Sequence, residues 1–177
     1  MKLIEFFKVI GKLKNIKRTG WVNHNIPNPE SVAEHSFRTS IMAMILAPKV
    51  EADVNKSVKM SLIHDIGEAE TGDIIIMHGK KKLGNYLSKS EKEREAVKMI
   101  FSLVEGDEYL GLFDEFEKNE SKEAKLVKEI DKLEMAMQAY EYEVMHKINL
   151  EEFFENSRTL ITSKEIKEIL DDIEKLR

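Results

Sequence analysis

The stretch SLIHDIGEAETGD, residues 61–73, sets His64 and Asp65 side by side directly behind the apolar pair Leu62 and Ile63. Val58, Leu62 and Ile66 recur every four residues, so the spacing predicts a helix that carries His64 and Asp65 near its end, with Gly67 or Gly72 stopping or bending it. Consecutive residues on a helix diverge by about 100°, so this dipeptide cannot chelate an ion as an i, i+4 pair does. It can straddle one only if other helices supply the remaining donors.

Upstream, Leu3, Phe6, Phe7, Ile10 and Leu13 follow helical spacing and predict a first amphipathic helix, its apolar stripe turned inward, ending near Lys14. The segment Asn15–Glu30 holds Gly20, two prolines and several asparagines and reads as an ordered loop rather than an element; its length alone marks it as functional or disordered. Ser31 and Glu34 form a capping box for a helix that runs to about Ala47 and is stopped by Pro48. The second half of that helix is apolar nearly all round, which predicts a place at the centre of the fold.

Downstream, Ile74–Glu93 combines glycines with Lys80, Lys81 and Lys82 and predicts a mobile loop, whose lysines read as solvated rather than as a patch steering an anion. Ala96, Val97, Ile100, Phe101 and Val104 predict a fourth helix, and Leu112, Phe113 and Phe116 a short fifth. From Ser121 to about His146, Leu126, Ile130, Leu133, Met137, Tyr140 and Val144 describe one long helix with a continuous buried seam. A pair of helices, Leu150–Leu160 and Ser163–Leu176, follows. No strand alternation is present, so the expected fold class is all-α: one domain over residues 1–177, with a helical core over about 1–146 and a helical extension over about 147–177.

Composition narrows the functions. The 177 residues are 42% hydrophobic with a formal charge of -5, enough apolar material for one core and too acidic, without a long basic run, for a nucleic-acid binder. There is no cysteine, so disulfides, thiolate metal sites and cysteine nucleophiles are excluded and any metal must sit on His, Asp and Glu. The apolar run Ile41–Pro48 is far shorter than the roughly 20 residues of a membrane helix, and Glu5, Lys8 and Lys12 interrupt any signal-peptide pattern. A cytoplasmic protein without membrane partners is expected.

Two of the five histidines and two carboxylates carry the chemical signal. His35 lies in SVAEHSF at the start of the apolar helix, and Asp131 lies in KEIDKLEM at the edge of the buried seam, between Val127 and Met135. A buried carboxylate is costly unless paired, hydrogen-bonded or metal-bound. His35, His64, Asp65 and Asp131 on three helices therefore suggest a divalent cation. Singly, each has an ordinary explanation as a hydrogen-bonded core histidine or a paired surface acid, and His24, His78 and His146 have no partner legible in sequence.

His35, then His64-Asp65, then Asp131, in this order on separate helices, resemble the HD-domain metal-dependent phosphohydrolases. RTGW (Arg18–Trp21), PESVAEHS (Pro29–Ser36), HDIGEAETGDI (His64–Ile74) and EIDKLEM (Glu129–Met135) together resemble the branch containing the bacterial 5'-deoxynucleotidase and its eukaryotic relatives. The resemblance covers residues 1 to about 146. It implies a helical bundle in which His35, His64, Asp65 and Asp131 hold one divalent ion (Mn, Co, Fe, Ni, Zn or Mg), and hydrolysis of deoxyribonucleoside 5'-monophosphates to nucleoside and phosphate. It further implies catalytic roles for Glu68 and Asp73, with Asp73 also positioning substrate or water, and a homodimer.

Guanidinium geometry makes Arg18 the phosphate clamp, and Trp21 is read as a wall for sugar or base, or as plain packing. Thr19 and Gly20 separate Arg18 from Trp21, whereas the two are adjacent in the bacterial enzyme, which bears on the preference for deoxyribose. Two alternatives stand beside this reading: a hydrolase of pyrophosphate-bearing nucleotides, alarmone or dNTP, and a non-catalytic nucleotide-binding module that keeps its metal for stability.

Overall fold

The computed structural model describes residues 1–73 and 86–177, for residues 86–89 the backbone alone. Lys80, Lys81, Lys82 and His78, with most of the expected loop that holds them, lie outside the described residues. The described residues form helices, a single isolated β-bridge and no strand, so the all-α expectation holds. They are α1 (Lys2–Gly11), α2 (Thr19–Asn23), α3 (Val32–Leu46), α4 (Val54–Ile63), α5 (Glu68–Thr71), α6 (Tyr86–Ser102), α7 (Asp107–Lys118), α8 (Lys122–His146), α9 (Glu151–Leu160) and α10 (Lys164–Lys175). None is long and apolar enough to cross a membrane. Two compact units result, Met1–Ser36 with Leu62–Asp114, and Phe37–Ser61 with Glu115–Arg177.

In the first unit, Leu13, Val32, Ile63, Ile66, Val97, Ile100 and Phe101 form a core against which Phe6, Val9 and Ile10 of α1 pack. Only part of the α1 stripe turns inward, because Leu3, Ile4 and Phe7 stay exposed. The segment Asn15–Glu30 is more structured than expected. An antiparallel bridge between Lys17 and Ser31 closes it, with Arg18 N–H donating to the Glu30 carbonyl at 3.1 Å and Val32 N–H to the Ile16 carbonyl at 2.9 Å. The five-residue α2 sits inside, too short to show a helical stripe in sequence.

The expected capping box is present. Glu34 N–H donates to Ser31 Oγ at 3.2 Å, and the Glu34 carboxylate accepts the Ser31 N–H at 2.6 Å.

The third helix ends earlier than the every-fourth-residue spacing suggests. α4 stops at Ile63, and His64 and Asp65 occupy a tight turn held by Ile66 N–H to Ile63 C=O (3.0 Å) and Glu68 N–H to Asp65 C=O (3.1 Å). Such i to i+3 bonds satisfy the orphan carbonyls of a helix end. Gly67 matters here for space: a Cβ there would lie 3.1 Å from the Glu93 carbonyl oxygen and 3.1 Å from Val97 Cγ2 on α6. α6 itself begins at Tyr86, within the stretch read as loop, because its charged first half carries no apolar stripe.

In the second unit, α9 and α10 pack on α8. Leu150, Phe154, Ile161, Ile166 and Leu170 are buried there beside Ile130 and Leu133. Ser121 caps α8 by accepting the Ala124 N–H. The second half of α3 departs from expectation: Phe37 (66% exposed), Ile41, Met44 and Ile45 (57%) face solvent, while Thr39, Ser40, Ala43 and Leu46 take the buried side. An all-round apolar helix is a sign of burial only when each of its faces has a partner.

Candidate active site

The His64-Asp65 turn brings chemistry to one point because it follows directly on Ile63, which is anchored in the core. His35, fully buried near the start of α3, meets His64 with Nε2 atoms 3.3 Å apart and ring centroids 5.3 Å apart. Asp65 Oδ2 lies 3.3 Å from His64 Nε2 and 3.8 Å from His35 Nε2. Two imidazole nitrogens and a carboxylate oxygen thus converge, a nitrogen and oxygen donor set that fits a divalent transition ion.

Arg18, on the residue preceding α2, donates from Nη1 to the same Asp65 oxygen at 2.9 Å. Burial alone would raise the Asp65 carboxyl; the charge and hydrogen bond of His64, then Arg18 and His35, outweigh it and hold Asp65 well below the usual carboxylate range.

Glu68 is buried (6% exposed) at the first position of α5, three residues past Asp65. Asp73, two residues past α5, accepts the Thr19 N–H on Oδ2 at 2.6 Å, and its carbonyl accepts the Thr19 hydroxyl at 2.5 Å. Trp21 is 2% exposed and donates its indole N–H to Glu30 at 2.8 Å, so it is committed to packing inside the first unit. His24 donates from Nδ1 to the Gly20 carbonyl at 2.8 Å and fastens the end of α2, and His146 stacks near Tyr142.

Asp131 lies on α8 in the second unit, partly buried at the edge of the seam as expected, with Lys132 Nζ 2.8 Å from Oδ2. Its neighbour in the same motif, Glu129, does something else. Glu129 accepts from Thr162 N–H (2.8 Å), Thr162 Oγ1 (2.7 Å), Ser163 N–H (2.9 Å) and Ser163 Oγ, and so holds the start of α10. Thr19 was read from sequence only as part of the Thr19-Gly20 spacer and not for its hydrogen bonds, and Glu30 was not singled out. Their signal lies in the motifs RTGW and PESVAEHS, whose partners are distant or are main-chain groups.

Residues 10–174 match the family model described as the HD domain. The chain is 42% identical over 173 residues to the 5'-deoxynucleotidase HDDC2 of Dictyostelium discoideum, covering 88% of this chain and 87% of that one. It is 35% identical over 177 residues to the 5'-deoxynucleotidase HDDC2 of Homo sapiens, covering 97% and 84%. Among solved structures, a conserved hypothetical protein from Pyrococcus furiosus superposes with a TM-score of 0.81 at 38% identity, over 97% of this chain and 99% of that one. With this span and these identities, the chain belongs to the HD domain family.

Proposed function

We propose that this chain is a metal-dependent phosphomonoesterase, a 5'-deoxynucleotidase that hydrolyses deoxyribonucleoside 5'-monophosphates to deoxynucleoside and phosphate. The observation that carries the reading is the convergence of His35, His64 and Arg18 on the Asp65 carboxylate. The names of the relatives supply the substrate class.

In this reading His35, His64, Asp65 and Asp131 are the ligands of one divalent ion, drawn from Mn, Co, Fe, Ni, Zn or Mg. A bound ion of this kind polarises a phosphoryl group and acidifies a water molecule. Arg18 holds the phosphate through its guanidinium. Glu68, one turn past Asp65, orients the attacking water and takes its proton. Asp73 positions substrate or water, and Trp21 backs the sugar-facing wall from within the first unit.

The span of the family match supports one HD domain over the whole chain. The exposed stripe of Phe37, Ile41, Met44 and Ile45 on α3 supports a homodimer, since an apolar row at helical spacing left in water is the kind of surface a partner covers. The cytoplasm is the compartment that suits a cysteine-free nucleotide hydrolase.

Phosphate release from deoxyribonucleoside 5'-monophosphates by metal-stripped protein, with each ion added back, tests the reading. Release without any metal contradicts it, and faster turnover of triphosphates replaces it with the pyrophosphate-bearing class.

A further inference from the structure

Arg18 stands on a short and intrinsically weak support. α2 has five residues, far below the roughly 12–15 at which an isolated helix holds together in water, and the Arg18 side chain makes no cap for it. The main chain around Arg18 is fixed from two directions instead. On the N-terminal side its own N–H is tied to the Glu30 carbonyl. On the C-terminal side the next residue, Thr19, makes two bonds to one residue 54 positions away: its N–H to the Asp73 carboxylate and its hydroxyl to the Asp73 carbonyl. Asp73 reaches this point because Gly72 adopts φ +74° and ψ 166°, a region open essentially to glycine alone. A Cβ at Gly72 would meet nothing within 4 Å, so the requirement there is conformational.

We infer that Thr19 is a positioning residue: its two-point latch to Asp73 sets the guanidinium of Arg18 against the segment that carries His64, Asp65 and Glu68, and thereby sets phosphate affinity. The latch joins the strap bearing Arg18 to the stretch leaving α5, so the two move as one piece. It also gives a purpose to the residues that separate Arg18 from Trp21. Thr19 supplies the side-chain hydroxyl that an arginine directly followed by tryptophan lacks. The inference rests on the proposed role of Arg18 as phosphate clamp.

The test compares wild type, Thr19→Val and Thr19→Ser as metal-loaded proteins, with metal content measured for each. Thr19→Val keeps the N–H and the shape and replaces the hydroxyl with a methyl group. It is expected to raise KM for a deoxyribonucleoside 5'-monophosphate about three- to tenfold, the range for one lost hydrogen bond. It should weaken binding of inorganic phosphate by the same factor, with metal content unchanged. Thr19→Ser is expected to restore both to within about twofold. Unchanged phosphate binding in Thr19→Val overturns the latch, as does a Thr19→Ser protein as impaired as Thr19→Val, since the hydroxyl that serine retains would then restore nothing. Phosphate binding by calorimetry reads the latch without turnover: a wild type that binds phosphate in a Thr19-dependent way but hydrolyses no nucleotide sinks the nucleotidase reading and keeps the latch. A wild type that binds no phosphate sinks the clamp and the latch together.

Discussion

Asp65 Oδ2 is shared among Arg18 at 2.9 Å, His64 at 3.3 Å and His35 at 3.8 Å, so one substitution there reaches every part of the site. Asp65→Asn keeps the volume and removes the charge. It is expected to purify with much less bound metal than wild type by elemental analysis and to release no phosphate; full metal content would remove Asp65 from the ligand set. Glu68→Ala separates chemistry from binding. With kcat lowered by about 10²- to 10⁴-fold, the range for a general acid or base, it should keep its metal and its KM. His35, His64 and Asp65 were marked in the sequence by their types and their order on separate elements, and the fold brings the three side chains together. Thr19 was not, because one of its partners is a main-chain carbonyl 54 residues away. Trp21 was read as a wall for sugar or base or as plain packing, and its hydrogen bond to Glu30 was not legible.

At the scale of elements, the long helix α8 was legible and the short pieces were not, although its buried seam stops short of Val144, which is 51% exposed. α8 lies within a residue of its expected limits, since six apolar positions in register leave little freedom. α2 and the early end of α4 were hidden because a single turn of main-chain bonds, not a hydrophobic stripe, decides them. The junction of α8 with α10 yields a stability prediction. Burial would raise the Glu129 carboxyl, but the hydroxyls and N–H groups of Ser163 and Thr162 outweigh it and lower it from its ordinary 4.5. A depressed folded-state value means that this interaction is fully present above pH of about 4.5 and fades as pH falls through the lowered value. Glu129→Gln is therefore expected to destabilise the protein by about 1–3 kcal/mol at pH 7, read by urea unfolding, with the gap to wild type narrowing in acid. A gap that is flat from pH 7 to pH 3 would contradict the assignment. Gly67→Ala belongs to the same scale: its Cβ would crowd the Glu93 carbonyl and Val97, at an expected cost of about 1–3 kcal/mol.

For the whole molecule, the family's span from residue 10 to 174 and the packing of α9 and α10 on α8 make the last thirty residues part of the fold. Leu150 and Phe154 are core, whereas α3 carries the exposed row. If the proposed homodimer forms through this row, Ile45→Glu is expected to turn a dimeric wild type into a monomer in sedimentation velocity; a monomeric wild type contradicts the dimer, and an unchanged dimer mass moves the interface elsewhere. The proposed function requires that this chain, with a metal held by its histidines and aspartates, hydrolyse deoxyribonucleoside 5'-monophosphates. Its most direct test is phosphate release by metal-stripped protein from ribo- and deoxyribonucleoside 5'-mono- and triphosphates, with Mn, Co, Mg, Zn or Ni restored one at a time and Glu68→Ala alongside. Release from deoxymonophosphates is expected only with metal present and is expected to be lost in Glu68→Ala. Release that persists in the chelator-treated protein, or that Glu68→Ala leaves intact, would contradict the proposed function.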